Sequence, residues 1–379
     1  MDIVTILKAA VKHEASDIYI TAGRPVSLKV NGRLATISQD VLSEDDAREL
    51  VIGTMTDDQK RGFDRDKECN YAISAAGAGR FRVSALYQRN KIAMVMRRIK
   101  DEIPKFAELN LPEIIEELAM TQRGLVIFVG ATGSGKSTSL AAMIGYRNQN
   151  STGHILTIED PIEFDHDHGG CVVTQREVGI DTDSYEIALK NSLRQAPDVI
   201  MIGEIRSQDT MEYGIVFAET GHLCLSTLHA NNANQAMDRI INFFPEERHK
   251  QLFLDLSLNL KAVVAQRLIP KKDGSGRVAA VEILINTPLI GDLIEKGNIA
   301  EIKDVMKRSG ELGMQTFDQA VYDLYMAGEI TYDEAIKNSD SENEVRLMIK
   351  LGSSKISVAS DTGSMALEPE QNDSNHILG

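Results

Sequence analysis

Gly130-Ala131-Thr132-Gly133-Ser134-Gly135-Lys136-Ser137-Thr138 has the spacing G-x-x-x-x-G-K-[ST], directly after the apolar run Leu125 to Val129 and directly before a helical stretch. Glycines let a backbone turn tightly enough for successive N–H groups, and the amino end of the next helix, to face phosphate oxygens. In such a loop Lys136 reaches the β- and γ-phosphates and the Ser137 hydroxyl ligates Mg²⁺. The chemistry expected here is the binding of a nucleotide, ATP with Mg²⁺.

Hydrolysis needs an acid as well. Asp198-Val199-Ile200-Met201-Ile202-Gly203-Glu204 is an apolar strand ending in a carboxylate, which can hold the Mg²⁺ shell, directly or through water, or orient the attacking water. Alone it would read as a surface acid; with the phosphate loop upstream it reads as functional. Glu159-Asp160-Pro161-Ile162-Glu163 ends another apolar strand. The carboxyl ends of parallel strands converge on the ligand of an open α/β sheet, so these acids can face the same phosphates; by themselves they fit a solvated turn equally well. His222 and His229 bracket the strand Leu223 to Leu228, which would bring one or both near that edge, although strand-end histidines are usually structural. Asp165-His166-Asp167-His168, followed by two glycines, is expected to be a solvated loop rather than a metal site.

These residues need elements to hold them. Ile3, Ile6, Leu7, Ala10 and Val11 predict an opening amphipathic helix. Alternating runs at Ser16 to Thr21 and Val26 to Ile37, the second broken by Asn31-Gly32, predict a hairpin. Ser43-Glu44-Asp45-Asp46 is a capping box for a helix near Glu44 to Met55, and the alternation at Cys69 to Ser74 and Arg80 to Ile99 predicts further antiparallel strands. This small α+β unit, residues 1–100, is followed by a linker at 101–115 that holds Pro104 and Pro112. The second unit is placed at 116–350, and from Leu125 onward the pattern changes. Leu125 to Val129, Ile155 to Ile158, Val199 to Ile202 and Leu223 to Thr227 alternate with helical stretches, as in a mostly parallel sheet covered by helices. A hairpin with its tip at Gly274-Ser275-Gly276 and several short helices over 287–350 complete this α/β unit. Residues 351–379, polar and without aromatics, are expected to be disordered.

The 379 residues carry 41 basic and 56 acidic side chains, a net charge of −15, and no basic stripe longer than Met96-Arg97-Arg98-Ile99-Lys100. Nucleic acid is therefore not an expected partner. No apolar run approaches the ~18 residues a bilayer span needs, and the acidic amino terminus does not suit a signal peptide, so a cytoplasmic protein without an integral membrane segment is expected. Cys69, Cys171 and Cys224 form no C-x-x-C pair and are expected to be reduced thiols.

Taken in order, the phosphate loop, Ile155-Leu156-Thr157-Ile158-Glu159-Asp160-Pro161-Ile162-Glu163-Phe164, Ile202-Gly203-Glu204-Ile205-Arg206, and Thr220-Gly221-His222-Leu223 through Thr227-Leu228-His229 strongly resemble the Walker A, Asp box, atypical Walker B and His box of the AAA+/RecA-like ATPases of the PilT/GspE superfamily. The resemblance covers nearly all of residues 1–350. Ala230 to Ala236, Ile240 to Arg248 and Glu311 to Ala320 look like the type IV pilus retraction ATPases, on their accessory branch.

The resemblance implies a PAS-like first domain packed over a RecA-like core, assembled as a homo-hexamer, with nucleotide between the domains. It implies Glu204 as the catalytic carboxylate, Glu159, Asp160 and Glu163 as metal-shell and water-orienting acids, and His222 and His229 as nucleotide sensors. Arg82 and Arg97 of the first domain match arginines that reach the phosphates in relatives. It further implies work beside a principal PilT-type retraction ATPase and an inner-membrane platform protein, at the cytoplasmic base of the pilus machine. Two departures stand out. Where the principal retraction ATPase has Ala-Ile-Arg-Asn-Leu-Ile, this chain reads Leu289-Ile290-Gly291-Asp292-Leu293-Ile294, which favours an auxiliary role; and Ser207 follows Arg206 where relatives often have Asp. A nucleotide-binding regulatory subunit with little turnover, or an assembly or secretion ATPase, is the alternative, the last disfavoured by the lack of a tetracysteine zinc module.

Overall fold

Period-two alternation in the first hundred residues produces an antiparallel sheet, and near-continuous apolar strands after residue 120 produce a mostly parallel one. The computed structural model describes residues 2–30, 32–99 and 102–361, with side chains as far as Leu351. Asn31 of the expected hairpin dipeptide and residues 362–379 of the expected disordered tail lie outside the described residues.

The first unit contains helices α1 (Ile3–Lys12), α2 (Glu44–Ile52) and α3 (Asp57–Asp66) and strands β1 (Asp17–Thr21), β2 (Ser27–Val30), β3 (Arg33–Thr36), β4 (Glu68–Ala75), β5 (Gly79–Gln88) and β6 (Lys91–Arg98). The strand order is β3-β2-β1-β6-β5-β4, with antiparallel neighbours throughout. Asp2 caps α1 by accepting from the Thr5 N–H, and Ser43 and Asp46 form the expected capping box of α2. The single long run expected at Arg80 to Ile99 folds back on itself. Arg89 and Asn90 take φ of 51° and 62°, the left-handed pair that a two-residue turn between twisted strands requires. Helix α3 buries only Phe63 and so leaves no helical period in the sequence; its signal is the Thr56/Gln59 capping box.

Between the sheets in the chain, α4 (Phe106–Leu109) lies within the expected linker and α5 (Ile114–Ala119) begins at its end. Phe106 is buried, edge-on to Tyr146 with ring centroids 5.3 Å apart, so this segment packs rather than merely spans.

The second unit runs β7 (Gly124–Val129), α6 (Lys136–Asn150), β8 (Gly153–Glu159), β9 (Cys171–Glu177), α7 (Tyr185–Ser192), β10 (Val199–Ile202), α8 (Gln208–Glu219), β11 (Leu223–Leu228), α9 (Ala233–Ile241), α10 (Glu246–Asn259), β12 (Leu260–Pro270) and β13 (Arg277–Ile285). Helices α11 (Pro288–Glu295), α12 (Ile302–Arg308), α13 (Phe317–Met326), α14 (Tyr332–Lys337) and α15 (Glu342–Asp361) follow. The backbone of α15 continues into the stretch expected to be disordered. The sheet order is β13-β12-β7-β11-β10-β8-β9, parallel apart from the β12–β13 hairpin. The architecture is α/β, as expected. Leu125, Ile127 and Val129 of β7 face one apolar cluster, with α8 to α10 and the carboxyl-terminal helices; Val126 and Phe128 face another, with α5 and α6. Burial on both faces is what makes these strands uniformly apolar.

Phe106→Ala should lower the unfolding free energy by about 3 kcal/mol, read from guanidinium denaturation, because it leaves a cavity against α6. A loss within ~0.5 kcal/mol, typical of surface positions, would mean that this segment is a passive connection.

Candidate active site

Parallel register brings the carboxyl ends of β7, β8, β10 and β11 to one edge, where a cavity of about 470 Å³ opens. Its wall includes Thr132, Gly133, Gly135, Lys136, Ser137 and Thr138 of the loop, Glu159, Asp160 and Glu163 after β8, Glu204 after β10, and His229 after β11. Gly130 and Ala131 line a second depression, which His229 also borders. Loop, strand-end acids and one histidine expected from the sequence thus meet in one cavity, beside residues the sequence did not single out, such as Tyr185 and Arg277.

The loop follows β7 and feeds α6. Gly130 has φ +154°, and a Cβ there would lie 2.4 Å from Ser134 Oγ and 2.6 Å from the Gln266 carbonyl oxygen. At Gly135, with φ +93°, a Cβ would lie 2.8 Å from Gln266 Nε2. Glycine is required at both because β12 presses against the loop from behind. Gln266, which sequence reasoning passed over, is that floor; its Oε1 also accepts from Ser139 Oγ at 2.8 Å. The Ser134 hydroxyl is buried without a hydrogen-bond partner. Lys136 Nζ donates to the carbonyls of Gly130 at 2.8 Å and Ala131 at 3.0 Å. Burial pushes its pKa down, opposed by the charges of Glu204 and Glu163.

Glu204 stands between two partners. Arg206 Nε donates to its Oε2 at 2.7 Å, and His229 Nε2 lies 3.3 Å from its Oε1. Arg206 also reaches Asp160 at 3.4 Å, so one guanidinium ties two strand ends together, and that hydrogen bond to Glu204 is the main reason its pKa is raised. Ser207 is the N-cap of α8, accepting from the Thr210 N–H, which accounts for a hydroxyl at that position. Glu159 is buried; Thr157 Oγ1 donates to it at 2.7 Å and Gln175 Nε2 at 3.1 Å. Burial outweighs those bonds and pushes its carboxyl up to about 7. Gln175 also donates to the Phe164 carbonyl and accepts from the His166 N–H, pinning the loop after Asp160. It comes from β9, an edge strand that the sequence reading did not separate.

Three expectations change. His222 precedes β11, whereas its carboxyl end bears His229; a six-residue strand separates such ends by ~20 Å. His222 instead lies 3.1 Å from the Phe217 carbonyl and 3.1 Å from the Thr220 hydroxyl, closing the end of α8. Arg97 is off the cavity wall. Its Nε donates to Asp17 of β1 at 2.9 Å, and its side chain is 74% exposed. Arg82, its cross-strand neighbour, does approach the acids, 4.0 Å from Asp160 and 3.9 Å from Glu177. Finally, the Asp165 to His168 segment is only partly solvated: His166 is buried on the cavity wall, its pKa pushed down to about 4 by burial, and His168 Nδ1 accepts from the Val173 N–H. Cys171 and Cys224 are buried and all three thiols are free. Among the described residues no helix is long and apolar enough to cross a membrane.

A phosphate loop at the carboxyl edge of a mostly parallel sheet, faced by strand-end carboxylates, defines a P-loop ATPase. The family described as type II/IV secretion system protein matches residues 1–290. The chain is 64% identical to the type IV pilus ATPase PilU of Pseudomonas aeruginosa over 353 residues, 93% of this chain and 92% of that protein. It is 40% identical to the retraction ATPase PilT of the same organism over 335 residues, 88% and 97% of the two chains. The crystal structure of the pilus retraction motor PilT with bound ADP superimposes with a TM-score of 0.85 at 38% identity, covering 91% of this chain and 98% of the other. The chain belongs to the type II/IV secretion ATPase family, in its PilT/PilU branch.

The raised pKa of Glu159 predicts a pH effect without divalent cations. Folding favours its protonated form, so the penalty is absent below the unfolded value near 4.5, grows as pH rises, and is complete above about 7. Glu159→Gln should therefore gain stability over wild type, on the order of 2 kcal/mol, between pH 5 and pH 8 in urea unfolding with EDTA. Parallel profiles would show that the carboxyl is not held in this state.

Proposed function

We propose that the chain hydrolyses ATP as a ring of six copies and assists a principal PilT-type ATPase in retracting a type IV pilus, acting from the cytoplasmic face of the inner membrane on a platform protein. The observation that carries the catalytic reading is the placement of Glu204, fixed by Arg206 and His229 in the same cavity as Lys136.

The loop N–H groups and the α6 amino terminus would bind the phosphates, with Lys136 exchanging its two loop carbonyls for phosphate oxygens. Glu204 would hold the attacking water, with Glu159, Asp160 and Glu163 orienting the surrounding shell. Arg82, the residue of the first unit that reaches these acids, would place positive charge beside the transferred phosphoryl group. His229 would register the nucleotide. The Ser137 hydroxyl and the carboxylates on this wall are hard oxygen donors, which fit Mg²⁺. Bound there, Mg²⁺ supplies charge neutralisation on the phosphates.

The auxiliary reading rests on the likeness to PilU and on α11, where Leu289 is exposed, Asp292 pairs with Lys296 at 2.6 Å, and no arginine is present. Glu204→Gln should cut ATP turnover by ~100-fold or more while ADP binding stays within a few-fold, and Lys136→Ala should lose both. Turnover unchanged in both variants overturns the site. ATPase rates measured with and without the PilT-type partner separate a motor from a nucleotide-binding regulator. Deletion should leave cells with more surface pili and no twitching; bald cells would instead mark an assembly ATPase.

A further inference from the structure

Two neighbouring residues of β12 serve opposite sides of the strand. Gln266 forms the floor of the phosphate loop, whereas the Arg267 guanidinium donates to the Asn338 carbonyl at 2.6 Å, the Asp340 carboxylate at 2.6 Å and the Asn231 carbonyl at 3.2 Å. It also lies 3.9 Å from the centroid of the Phe317 ring. Asp340 accepts in addition from Asn232 Nδ2 at 3.2 Å and Lys303 Nζ at 2.7 Å. Its own place is fixed by Asp318, whose carboxylate accepts the N–H groups of Asp340 and Ser341 at 2.7 and 3.1 Å.

Asn231 and Asn232 belong to the short connection that carries His229 from β11 into α9. The next residue is tied as well: the Ala233 N–H donates to buried Glu282 at 2.7 Å, and the same carboxylate accepts from Phe317 at the start of α13. Three successive residues after Ala230 are thus anchored to β12, β13 and the connection before α15. A connection this short, fixed at its far end, leaves His229 few positions. None of these anchors is a phosphate-loop residue.

We infer that Arg267 and Asp340 are positioning residues for His229, and that their ion pair links the carboxyl-terminal helices to the nucleotide cavity. This rests on the reading of His229 as a nucleotide-facing residue. The pair, half-buried beside Phe317, holds a backbone carbonyl rather than a substrate atom, so its effect on the reaction passes through the connection it anchors.

The test is a double-mutant cycle on the full-length chain, read by titration with a fluorescent ATP analogue and by steady-state turnover. Asp340→Asn keeps the shape and removes the charge; Arg267→Lys keeps the charge but cannot span Asn231, Asn338 and Asp340 together. Each should weaken nucleotide affinity about 5-fold or more in the wild-type background, and Asp340→Asn should change it by less than about 2-fold when His229 is already Gln. Lys303→Met, which removes another partner of Asp340 while leaving Arg267 in place, is expected to lower the thermal midpoint yet keep affinity within about 2-fold. An Asp340→Asn effect that persists in full beside His229→Gln overturns the inference, as does an equal loss of affinity in Lys303→Met, which would mark a merely structural role. If His229→Gln alone alters neither affinity nor turnover, the reading of His229 fails, and the inference with it.

Discussion

Carboxylates crowded on one sheet edge repel one another, and burial raises the cost of charging them, so such an edge persists only where cations are brought to it. Here Glu159, Asp160, Glu163 and Glu204 share one cavity wall, and three cations answer them. Lys136 arrives by way of the phosphate loop, Arg206 from the turn after β10, and Arg82 from a different sheet altogether. The last of these joins the small antiparallel unit to the acidic edge of the parallel core. The neutral supports are equally specific: Thr157 and Gln175 donate to Glu159, the most deeply buried of these four acids, and allow a carboxyl group to remain there.

The features legible in the sequence were those whose information is local. A phosphate loop is nine consecutive residues, and a strand-end acid announces itself by the apolar run before it, so Lys136, Ser137, Glu159 and Glu204 could be assigned before any register was known. What the sequence concealed was pairing over distance. Arg97 looks as available as Arg82 until β1 brings Asp17 beside it, eighty positions away in the chain. His222 and His229 look equivalent until strand geometry separates them. His166 reads as solvated because its burial depends on Gln175, which lies on a strand with little apolar signal of its own. Gln266 and Arg267 are ordinary strand residues until β12 is laid beside β7. Helix α3 escaped for the opposite reason: it buries one side chain, so it has almost no period to detect.

The core sheet also shows how an alternating pattern can carry two kinds of information. Inward and outward residues of a parallel strand both meet apolar layers, so polarity within such a strand is costly unless it is partnered. Gln266, Arg267 and Glu282 all break that rule, and each does so where a loop or helix start needs a hydrogen bond: the phosphate loop, the connection to α9, and the starts of α9 and α13. Polar residues inside β12 and β13 therefore mark the joints of the unit.

The contacts of Arg82 have a mechanical consequence. At about 4 Å, with both side chains about one-third exposed, the Arg82–Asp160 pair is long and solvated, of a kind worth at most ~1 kcal/mol and weakened by salt, whereas the Glu177 carboxylate on the other side of the guanidinium is buried. The contact with Asp160 is thus a soft one. A cycle that opened and closed the cleft would therefore spend little of its chemical free energy on the Arg82–Asp160 contact, leaving more of it for work elsewhere.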